Sequence, residues 1–325
     1  MVKAIRIHAP GGPEALVLED VDIGEPGPGE ARLRHAAVGL NFIDVYHRSG
    51  LYPLPALPAS IGMEAAGVVE AVGPGVADIV PGDRVAYAAP PPGAYCEARN
   101  VAADRLVRLP DAIDERRAAA MMLKGMTAEY LLRRTHTVKA GETILFHAAA
   151  GGVGLIACQW AKALGATVIG TVGTPEKAEL AAAHGCDHPI VTANEDFVAR
   201  VREITGGAGV PVVYDSVGKD SFMGSLDCLS PRGVMVSFGQ SSGPVAPLDL
   251  GLLAAKGSLY VTRPTLFTYT ASRDDLTASA GALFEVVAAG KVRIGINQTY
   301  ALKDAAQAHR DLEGRKTTGS TLLVP

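Results

Sequence analysis

The run HAAAGGVG at 147–154 limits the possible folds of this chain more than any other sequence feature. An apolar strand candidate, ETILFH (142–147), leads into it, and residues 155–164 carry apolar side chains at helical spacing. Gly165 stands where a helix commonly ends with a glycine in the left-handed conformation. The sequence therefore predicts a strand, a tight glycine-rich turn and a helix in immediate succession.

Ala149, Gly151 and Gly154 fit the G-x-G-x-x-G fingerprint of dinucleotide-binding proteins, with alanine in the first position. Because Gly151 and Gly152 lack side chains, a diphosphate can approach the backbone where the first amides of the helix point toward it. A strand–helix turn that binds no ligand is the alternative. The strand candidate ATVIGTV (166–172) favours the dinucleotide site, because it completes the strand–helix–strand setting of the fingerprint.

From about residue 123 the chain alternates apolar runs with helical segments. Besides the two strands above, the runs HPIV, VPVVYDSV, GVMVSFG and GSLYVTR supply four more. Six strands with helical connections predict an α/β fold with the doubly wound parallel sheet of a Rossmann domain. The earlier part of the chain is instead rich in short β-type runs and Gly/Pro turns. We predict a β-rich domain at 1–122, completed by 264–325, and a Rossmann domain at 123–263.

The residues after the second Rossmann strand indicate which dinucleotide is bound. Gly173 stands where NAD sites usually carry Asp or Glu for the ribose 2′-hydroxyl. The next helix has Thr174 as N-cap and Pro175 at its first position, and Lys177 occupies the third, which favours Glu or Gln. A cation there opposes the helix dipole at a cost of about 0.3–1 kcal/mol unless an anion is bound. This pattern favours NADP(H), with the 2′-phosphate at Lys177, and a solvated lysine offset by Glu176 is the alternative.

Composition and charge exclude several other classes of protein. The net charge is −4 and no dense Lys/Arg run appears, which argues against nucleic-acid binding. No apolar stretch reads as a membrane span, and the N-terminus shows no secretory signal. The four cysteines form no C-x-x-C pair, so we expect buried free thiols in a reducing cytoplasm. These are Cys96, Cys158, Cys186 and Cys228.

We predict no metal site in this chain. His184, Cys186 and His188 lie close together in sequence, but the other histidines and cysteines are scattered, so no full set of ligands for a zinc Lewis acid is evident. Hydride transfer then requires an acceptor that needs little electrophilic help. Quinones and conjugated enones meet this condition, because the electrons delocalise into the acceptor.

Six longer motifs, spread over nearly the whole chain, are more specific than the glycine fingerprint. They are AVGLNFIDVYHRSGLYP (37–53), GMEAAGVVEAVGPGV (62–76), LKGMTAEYLL (123–132), LFHAAAGGVGLIACQWAKALGATVIGTVGT (145–174), VVYDSVG (212–218) and KGSLYVTRP (256–264). Together they resemble the zinc-free branch of the medium-chain dehydrogenases/reductases, and specifically the bacterial NADPH:quinone oxidoreductases related to zeta-crystallin. In zinc-bearing relatives the first motif carries a cysteine ligand and the second reads G-H-E, whereas this chain has Asn41-Phe-Ile-Asp44 and Gly62-Met63-Glu64.

This resemblance implies a GroES-like catalytic domain built from both chain ends, a Rossmann domain, and NADPH in the cleft between them. It also implies a set of cofactor contacts, to which the fingerprint and the helix cap add Gly151 and Thr174. The implied contacts are Asn41, Phe42, Ile43, Asp44, Val45, Thr127, Tyr130, Gly152, Val153, Gly173, Lys177, Ser216, Phe238, Gly239, Gln240, Ser241, Arg263, Pro264, Thr265 and Arg315. One departure from close relatives is Thr192, where they carry a tyrosine.

The acceptor side of the site rests on three candidate catalytic residues. Tyr46 and Tyr52 match aromatic residues that line the acceptor pocket of that family, and each offers an apolar ring and a hydroxyl for a quinone oxygen. Ordinary packing beside a proline-rich loop is the alternative. Asn41 is predicted to donate to a developing oxyanion, with a turn-stabilising role as its alternative. We expect water or a tyrosine hydroxyl as the proton donor.

Three functions are compatible with these residues. NADPH-dependent quinone reduction is preferred, and NADPH-dependent reduction of an enone or alkenal double bond would need the same cleft. A non-catalytic NADPH-binding or RNA-binding, crystallin-like protein is disfavoured, because the chain is acidic and has no basic stripe. The last Rossmann strand candidate, GSLYVTR, would lie at the sheet edge, where apolar strands tend to pair. We therefore expect a homodimer, as relatives commonly form.

Overall fold

The computed structural model describes all 325 residues and divides into two compact units. Unit 1 comprises Met1–Met126, Thr270–Ala288 and Ile294–Pro325, so that both chain ends belong to it. Unit 2 comprises Thr127–Tyr269 and Ala289–Arg293.

Sixteen strands, eleven α-helices and a few short turns of other helical types make up the chain. The strands are β1 (Val2–Ile7), β2 (Val17–Val21), β3 (Glu30–Leu40), β4 (Ala59–Ser60), β5 (Glu64–Val72), β6 (Arg84–Ala88), β7 (Ala98–Ala102), β8 (Val107–Arg108), β9 (Thr143–Phe146), β10 (Thr167–Val172), β11 (His188–Val191), β12 (Val210–Asp215), β13 (Leu229–Ser237), β14 (Tyr260–Thr262), β15 (Ile296–Ala301) and β16 (Ser320–Val324). The helices are α1 (Phe42–Ser49), α2 (Glu115–Ala119), α3 (Met122–Tyr130), α4 (Gly152–Ala163), α5 (Pro175–Ala182), α6 (Phe197–Ile204), α7 (Phe222–Cys228), α8 (Leu250–Ala255), α9 (Leu266–Tyr269), α10 (Arg273–Ala288) and α11 (Ala305–Glu313).

Unit 1 contains two sheets. The smaller has the order β2-β1-β4, and the larger has the order β15-β16-β3-β5-β6-β8, with β7 also paired to β3. The long strand β3 alternates buried and accessible residues as far as Ala36 and is then buried continuously from Ala37 to Leu40, where the chain enters α1. The predicted C-terminal strand STLLVP is present as β16 and pairs with β3, Thr321 lying opposite Leu40.

Unit 2 contains a six-stranded sheet with the order β11-β10-β9-β12-β13-β14. All five pairings are parallel, and the strand order reverses between β9 and β12. Each of the six predicted Rossmann strands is present. The predicted α/β fold, with a doubly wound sheet and a separate β-rich domain, is confirmed.

The central Rossmann strands are mostly apolar, as is typical of a parallel sheet that is covered on both faces. Leu145, Ile169, Val213 and Met235, each from a different strand, are all fully or almost fully buried and belong to one core cluster. Strand β10 is buried at every position after Thr167. Burial of this kind holds the ends of the strands, and the loops that follow them, in fixed positions.

The four cysteines are free and buried, which confirms the prediction of buried thiols. No helix in the structure is both long enough and apolar enough to cross a lipid bilayer. The longest, α10, has 16 residues, whereas a membrane-spanning helix needs about 20 apolar residues.

Candidate active site

The glycine-rich turn lies between β9 and α4, as predicted. Gly151 is the N-cap of α4 in an extended conformation, and no side chain caps this helix. A helix start without a side-chain cap presents its first N–H groups to a ligand, and a phosphate is the group that such a start favours. The donor set at this turn therefore fits the diphosphate of a dinucleotide.

Gly154 is required by close packing rather than by an unusual backbone angle. A Cβ atom at this position would lie 2.3 Å from the carbonyl oxygen of Ala148 and 2.6 Å from that of Ala149. A methyl group there would push α4 away from the turn, so Gly154 plays the helix–strand packing role of the third fingerprint glycine. Gly165 ends the helix with a φ of 88°, as its position in the sequence predicts.

A buried histidine lies directly before the turn. His147 Nδ1 is 2.8 Å from Thr171 Oγ1 in β10, and His147 Nε2 is 2.9 Å from Ser225 Oγ in α7. Ser225 Oγ also donates to Asp215 Oδ2, at the end of β12. Burial lowers the pKa of His147, so the ring is neutral at neutral pH and joins three elements below the turn.

Most of the other predicted cofactor residues of unit 2 lie beyond the carboxyl ends of the parallel strands. In an open α/β sheet this edge is where ligands bind. Gly173 and Thr174 follow β10, Ser216 follows β12, Phe238, Gly239, Gln240 and Ser241 follow β13, and Arg263, Pro264 and Thr265 follow β14. The structure brings these residues to one edge although they are spread over 93 positions of sequence, from 173 to 265.

The start of α5 has the predicted cap. Thr174 Oγ1 accepts the backbone N–H of Lys177 at 3.4 Å, and Pro175 occupies the first helical position. A Cβ atom built on Gly173 would meet nothing within 4 Å, so there is open room beside this residue. An accessible helix start, a nearby lysine and open space fit a phosphate group.

Arg263 ties the loops after β13 and β14 together. Its Nη1 donates to the carbonyl oxygens of Ser237 at 2.9 Å and Gly239 at 2.8 Å. A Cβ atom on Gly239 would lie 2.7 Å from the carbonyl oxygen of Ser216, so the loop after β12 is also packed tightly against this turn. Arg263 therefore shapes the predicted cofactor wall, a role that its sequence context does not reveal.

Thr127 and Tyr130, in the C-terminal half of α3, are both buried. The ring of Tyr130 stacks on that of Tyr269, with centroids 4.5 Å apart and an interplanar angle of 11°. The Arg134 guanidinium lies over the other ring of this pair, 5.0 Å from the Tyr269 centroid. Tyr269 and Arg134 were not among the predicted residues, and no local motif marks them.

In unit 1, Asn41 forms the N-cap of α1 directly after β3. Its backbone N–H donates to Asp44 Oδ2 at 2.9 Å. Its side-chain Nδ2 donates to Glu64 Oε2 at 2.8 Å and to the carbonyl oxygen of Gly39 at 3.3 Å. Donation from Asn41 to a developing oxyanion therefore stays a prediction, and it requires one of these two bonds to break.

Glu64 also accepts hydrogen bonds from Lys124 Nζ at 3.0 Å and from the backbone N–H of Leu123 at 2.7 Å. Lys124 was not among the predicted site residues, although it lies in the motif LKGMTAEYLL. The structure contains no group of three or more His, Cys, Asp or Glu side chains that could hold a metal ion. In this chain Glu64 binds the Lys124 ammonium and two amides, those of the Asn41 side chain and the Leu123 backbone.

The side chain of Asp44 is completely buried. Besides the Asn41 amide, Oδ2 accepts the hydroxyl of Tyr95 at 3.0 Å, whereas the buried Oδ1 has no hydrogen-bond partner. Burial raises the pKa of Asp44 to about 7, against the opposing effect of its hydrogen bonds to Asn41 and Tyr95. Tyr95 is 51 positions away in sequence and was not predicted.

The predicted residues between Phe42 and Tyr52 include an aromatic cluster. Tyr46 is buried and Tyr52 half-buried, their ring centroids are 5.1 Å apart, and Phe42 lies 5.9 Å from Tyr46. Ile43 is half-buried and Val45 buried. Mutual packing accounts for this arrangement as well as a role in acceptor binding does, so both interpretations stay open.

Two further predicted positions lie on loops. Arg315 is exposed on the turn between α11 and β16, with a φ of 56°, which is uncommon for a residue other than glycine. Thr192 follows β11, and both its Oγ1 and its backbone N–H donate to the carbonyl oxygen of Val172.

Comparisons with known proteins agree with this architecture. A family model described as alcohol dehydrogenase GroES-like domain matches residues 27–141, and one described as zinc-binding dehydrogenase matches 152–277. The quinone oxidoreductase of Pseudomonas aeruginosa is 57% identical over 325 residues, covering 100% of both chains. A 2-haloacrylate reductase of Burkholderia is 49% identical, covering 100% of this chain and 99% of its own.

Solved structures show the same relationship. The Escherichia coli quinone oxidoreductase complexed with NADPH superposes with a TM-score of 0.98 at 53% identity, covering 99% of this chain and 100% of that one. Identity at this level over the full length shows the family as well as the fold. The chain belongs to the quinone oxidoreductase family, within the medium-chain dehydrogenases/reductases.

Proposed function

We propose that this protein is an NADPH-dependent quinone reductase that works without a metal ion. The observation that carries the proposal is the pair of helix starts beyond the carboxyl edge of the sheet. The start of α4 has no side-chain cap, and that of α5 holds Lys177 beside open space. The relatives named quinone oxidoreductase and the NADPH complex of the E. coli protein support it.

NADPH, when bound, supplies a hydride, and a quinone that accepts it together with one proton becomes a hydroquinone. In unit 2 we assign Gly151, Gly152 and Val153 to the diphosphate, and Gly173, Thr174 and Lys177 to the 2′-phosphate. Arg315, in unit 1, is assigned to the cofactor by the resemblance alone. The remaining contacts that we assign to the cofactor are Thr127, Tyr130, Ser216, Phe238, Gly239, Gln240, Ser241, Arg263, Pro264 and Thr265 in unit 2, and Asn41, Phe42, Ile43, Asp44 and Val45 in unit 1.

For the acceptor we assign Tyr46 and Tyr52, whose rings are suited to stack on a planar molecule and whose hydroxyls can donate to its oxygen. Asn41 is a further candidate if its amide leaves the Gly39 carbonyl, the longer of its two bonds. His47, the histidine of the motif 37–53, forms no ion pair with a carboxylate. Water or a tyrosine hydroxyl is therefore the proposed proton donor.

A second candidate is reduction of a conjugated carbon–carbon double bond. It is favoured by the 49% identity to a 2-haloacrylate reductase. A panel of naphthoquinones, small benzoquinones, alkenals and 2-haloacrylate, each with NADPH and with NADH, separates the two. Faster turnover of the enones than of any quinone would reverse our order, and NADPH binding without oxidation by any acceptor would indicate a non-catalytic protein.

We also propose that the protein forms a homodimer through β14. This strand is at the edge of the Rossmann sheet, where Tyr260 is 62% exposed and Val261 38% exposed. Exposed apolar edge strands tend to pair with another strand. Size-exclusion chromatography with light scattering tests this, and a monomer would contradict it. The four buried free thiols support our placing of the protein in a reducing cytoplasm.

A further inference from the structure

A chain of hydrogen bonds in unit 1, buried except at Glu313, leads from the C-terminal helix to Asp44. The Arg48 guanidinium, in α1, makes two bonds of 2.8 Å to the carboxylate of Glu313, and its Nη1 lies 3.1 Å from His309 Nδ1. His309 Nε2 lies 3.0 Å from the hydroxyl oxygen of Tyr95, and that hydroxyl is bonded to Asp44. Arg48, Tyr95, His309 and Asp44 are all buried.

The direction of every bond in this chain follows from Arg48. A guanidinium only donates, so His309 Nδ1 must accept, and a neutral imidazole then carries its proton on Nε2. Burial lowers the pKa of His309 to about 3, which keeps the ring neutral. His309 therefore donates to Tyr95, and Tyr95 donates to Asp44. Because Arg48 does not release a proton, the chain cannot relay protons, and its role is to hold groups in place.

The part of the protein that this chain of hydrogen bonds holds in place is the start of α1. Asp44 Oδ2 receives only the Tyr95 hydroxyl and the Asn41 amide, and Oδ1 receives nothing. The position of this carboxylate therefore depends on those two donors. Residues Asn41–Val45 are the segment of unit 1 that we assign to NADPH.

We propose that Tyr95 and His309 are positioning residues for NADPH binding, which hold the segment Asn41–Val45 in its binding conformation through Asp44. The proposal rests on the proposed function. It gives the C-terminal helix α11, which no cofactor motif marks, a part in cofactor affinity.

The same core contains a second buried tyrosine–histidine pair that serves as a matched control. The Tyr87 hydroxyl lies 3.2 Å from His35 Nε2, and both residues are buried. His35 Nδ1 faces the carbonyl oxygen of Cys96 at 2.9 Å, and neither residue bonds to Asn41 or Asp44. Tyr87→Phe therefore removes a similar hydrogen bond without touching the proposed chain.

The experiment compares Tyr95→Phe with Tyr87→Phe in the full-length protein. NADPH dissociation constants come from calorimetry, KM and kcat from NADPH oxidation with a naphthoquinone, and stability from urea unfolding. We expect Tyr95→Phe to raise Kd and KM for NADPH about five- to tenfold, the effect of losing the hydrogen bond to Asp44, with kcat changed less than about twofold. Tyr87→Phe removes one described hydrogen bond where Tyr95→Phe removes two, so it should lose somewhat less stability, and it should leave Kd within about twofold because no bond of the chain is removed.

Two substitutions of His309 give an independent test. The amide of His309→Gln can accept from Arg48 and donate to Tyr95, whereas His309→Leu can do neither. We expect His309→Gln to bind NADPH more tightly than His309→Leu by about five- to tenfold.

Each result decides the proposal. Equal NADPH affinities in Tyr95→Phe and Tyr87→Phe would overturn it, and if Tyr95→Phe does not fold, equal affinities in the two His309 variants would do so. In those cases the wild type still oxidises NADPH with the quinone, so only this inference fails. A wild type that neither binds nor oxidises NADPH would instead remove the proposed function together with the inference.

Discussion

Glu64 and Lys124 form an ion pair of 3.0 Å in the interior of unit 1, with 0% and 5% of their side chains exposed. The same carboxylate binds the Leu123 amide and the Asn41 side chain. Glu64 thus joins three donors beside the segment that we assign to the cofactor. A buried charge is tolerated only while its partners remain.

Lys124→Met removes the cation and leaves Glu64 charged inside the protein. We expect the free energy of unfolding to fall by about 3–5 kcal/mol, as measured by urea denaturation. The control is Lys162→Met, because the Lys162–Asp187 pair has a lysine side chain that is 55% exposed. Lys162→Met should lower the free energy of unfolding by no more than about 1 kcal/mol. Similar losses in both variants would show that the Glu64–Lys124 pair is not effectively buried.

Gly154→Ala should disrupt the glycine-rich turn, because the new methyl group would lie 2.3 Å from the Ala148 carbonyl oxygen. We expect a loss of about 1–3 kcal/mol of stability and much weaker NADPH binding. Gly281 is also in a helix, α10, and a Cβ there meets nothing within 4 Å. Gly281→Ala should therefore stabilise the protein, by up to about 1 kcal/mol. Full NADPH affinity in Gly154→Ala would contradict the assigned turn.

Stability should fall in mild acid because of buried histidines. Burial lowers the pKa of His35 to about 4 and that of His309 to about 3. Below the ordinary value of 6.5 the unfolded chain gains protons that the folded chain does not. Each histidine then lowers the free energy of unfolding by about 1.4 kcal/mol per pH unit as the pH falls toward its folded pKa.

Asp44 acts in the opposite sense, because its folded pKa of about 7 lies above its ordinary value of 3.8. Between these two pKa values the folded state holds a proton on Asp44 that the unfolded chain does not. The stabilising effect of this proton on the folded state is complete in acid and is lost as the pH rises. Asp44→Asn should therefore steepen the loss of stability between pH 6.5 and pH 4. Urea unfolding at several pH values measures both slopes. An unchanged slope would show that Asp44 is ionised in the folded protein throughout this range.

Tyr46→Phe and Tyr52→Phe test the acceptor side, since each keeps the ring and removes the hydroxyl. We expect kcat/KM for a naphthoquinone to fall about tenfold in at least one of them, the effect of one lost hydrogen bond. Tyr300→Phe, which loses a bond to Asp311 Oδ2 in another part of unit 1, serves as the control. Unchanged kinetics in both active-site variants would leave only packing roles for Tyr46 and Tyr52.

The features that sequence predicted correctly depend on neighbours along the chain. The six Rossmann strands are continuous apolar runs, Thr174 and Pro175 are a cap signal, and Gly165 is a helix-ending glycine. Strand periodicity and capping are local properties, so they can be recognised without knowing the fold.

The features that sequence missed depend on contacts between distant residues. Tyr95 and Asp44 are 51 positions apart, and Arg48 and His309 are 261 apart. Tyr130 and Tyr269 likewise meet only in the folded chain. Asn41 was selected, but its bond to Glu64, which engages its amide nitrogen, was not foreseen. No periodic pattern marks such pairs, because the fold alone brings them together.

Lys177 should determine the choice between the two nicotinamide dinucleotides. Lys177→Gln removes a charge next to the proposed 2′-phosphate, so NADPH affinity should fall about ten- to a hundredfold while NADH affinity stays the same. Lys303→Gln, at an exposed position assigned no ligand, is the control and should change neither affinity. Equal losses of affinity for NADPH and NADH in Lys177→Gln would mean that the lysine does not bind the 2′-phosphate.

Calorimetric titration of the wild-type protein with NADPH and with NADH tests the central claim most directly. The 2′-phosphate is the only difference between the two ligands, so its binding energy appears as the ratio of the dissociation constants. We predict that NADPH binds at least about tenfold more tightly, consistent with a charge-assisted hydrogen bond to the phosphate. Equal affinities, or tighter binding of NADH, would contradict the account.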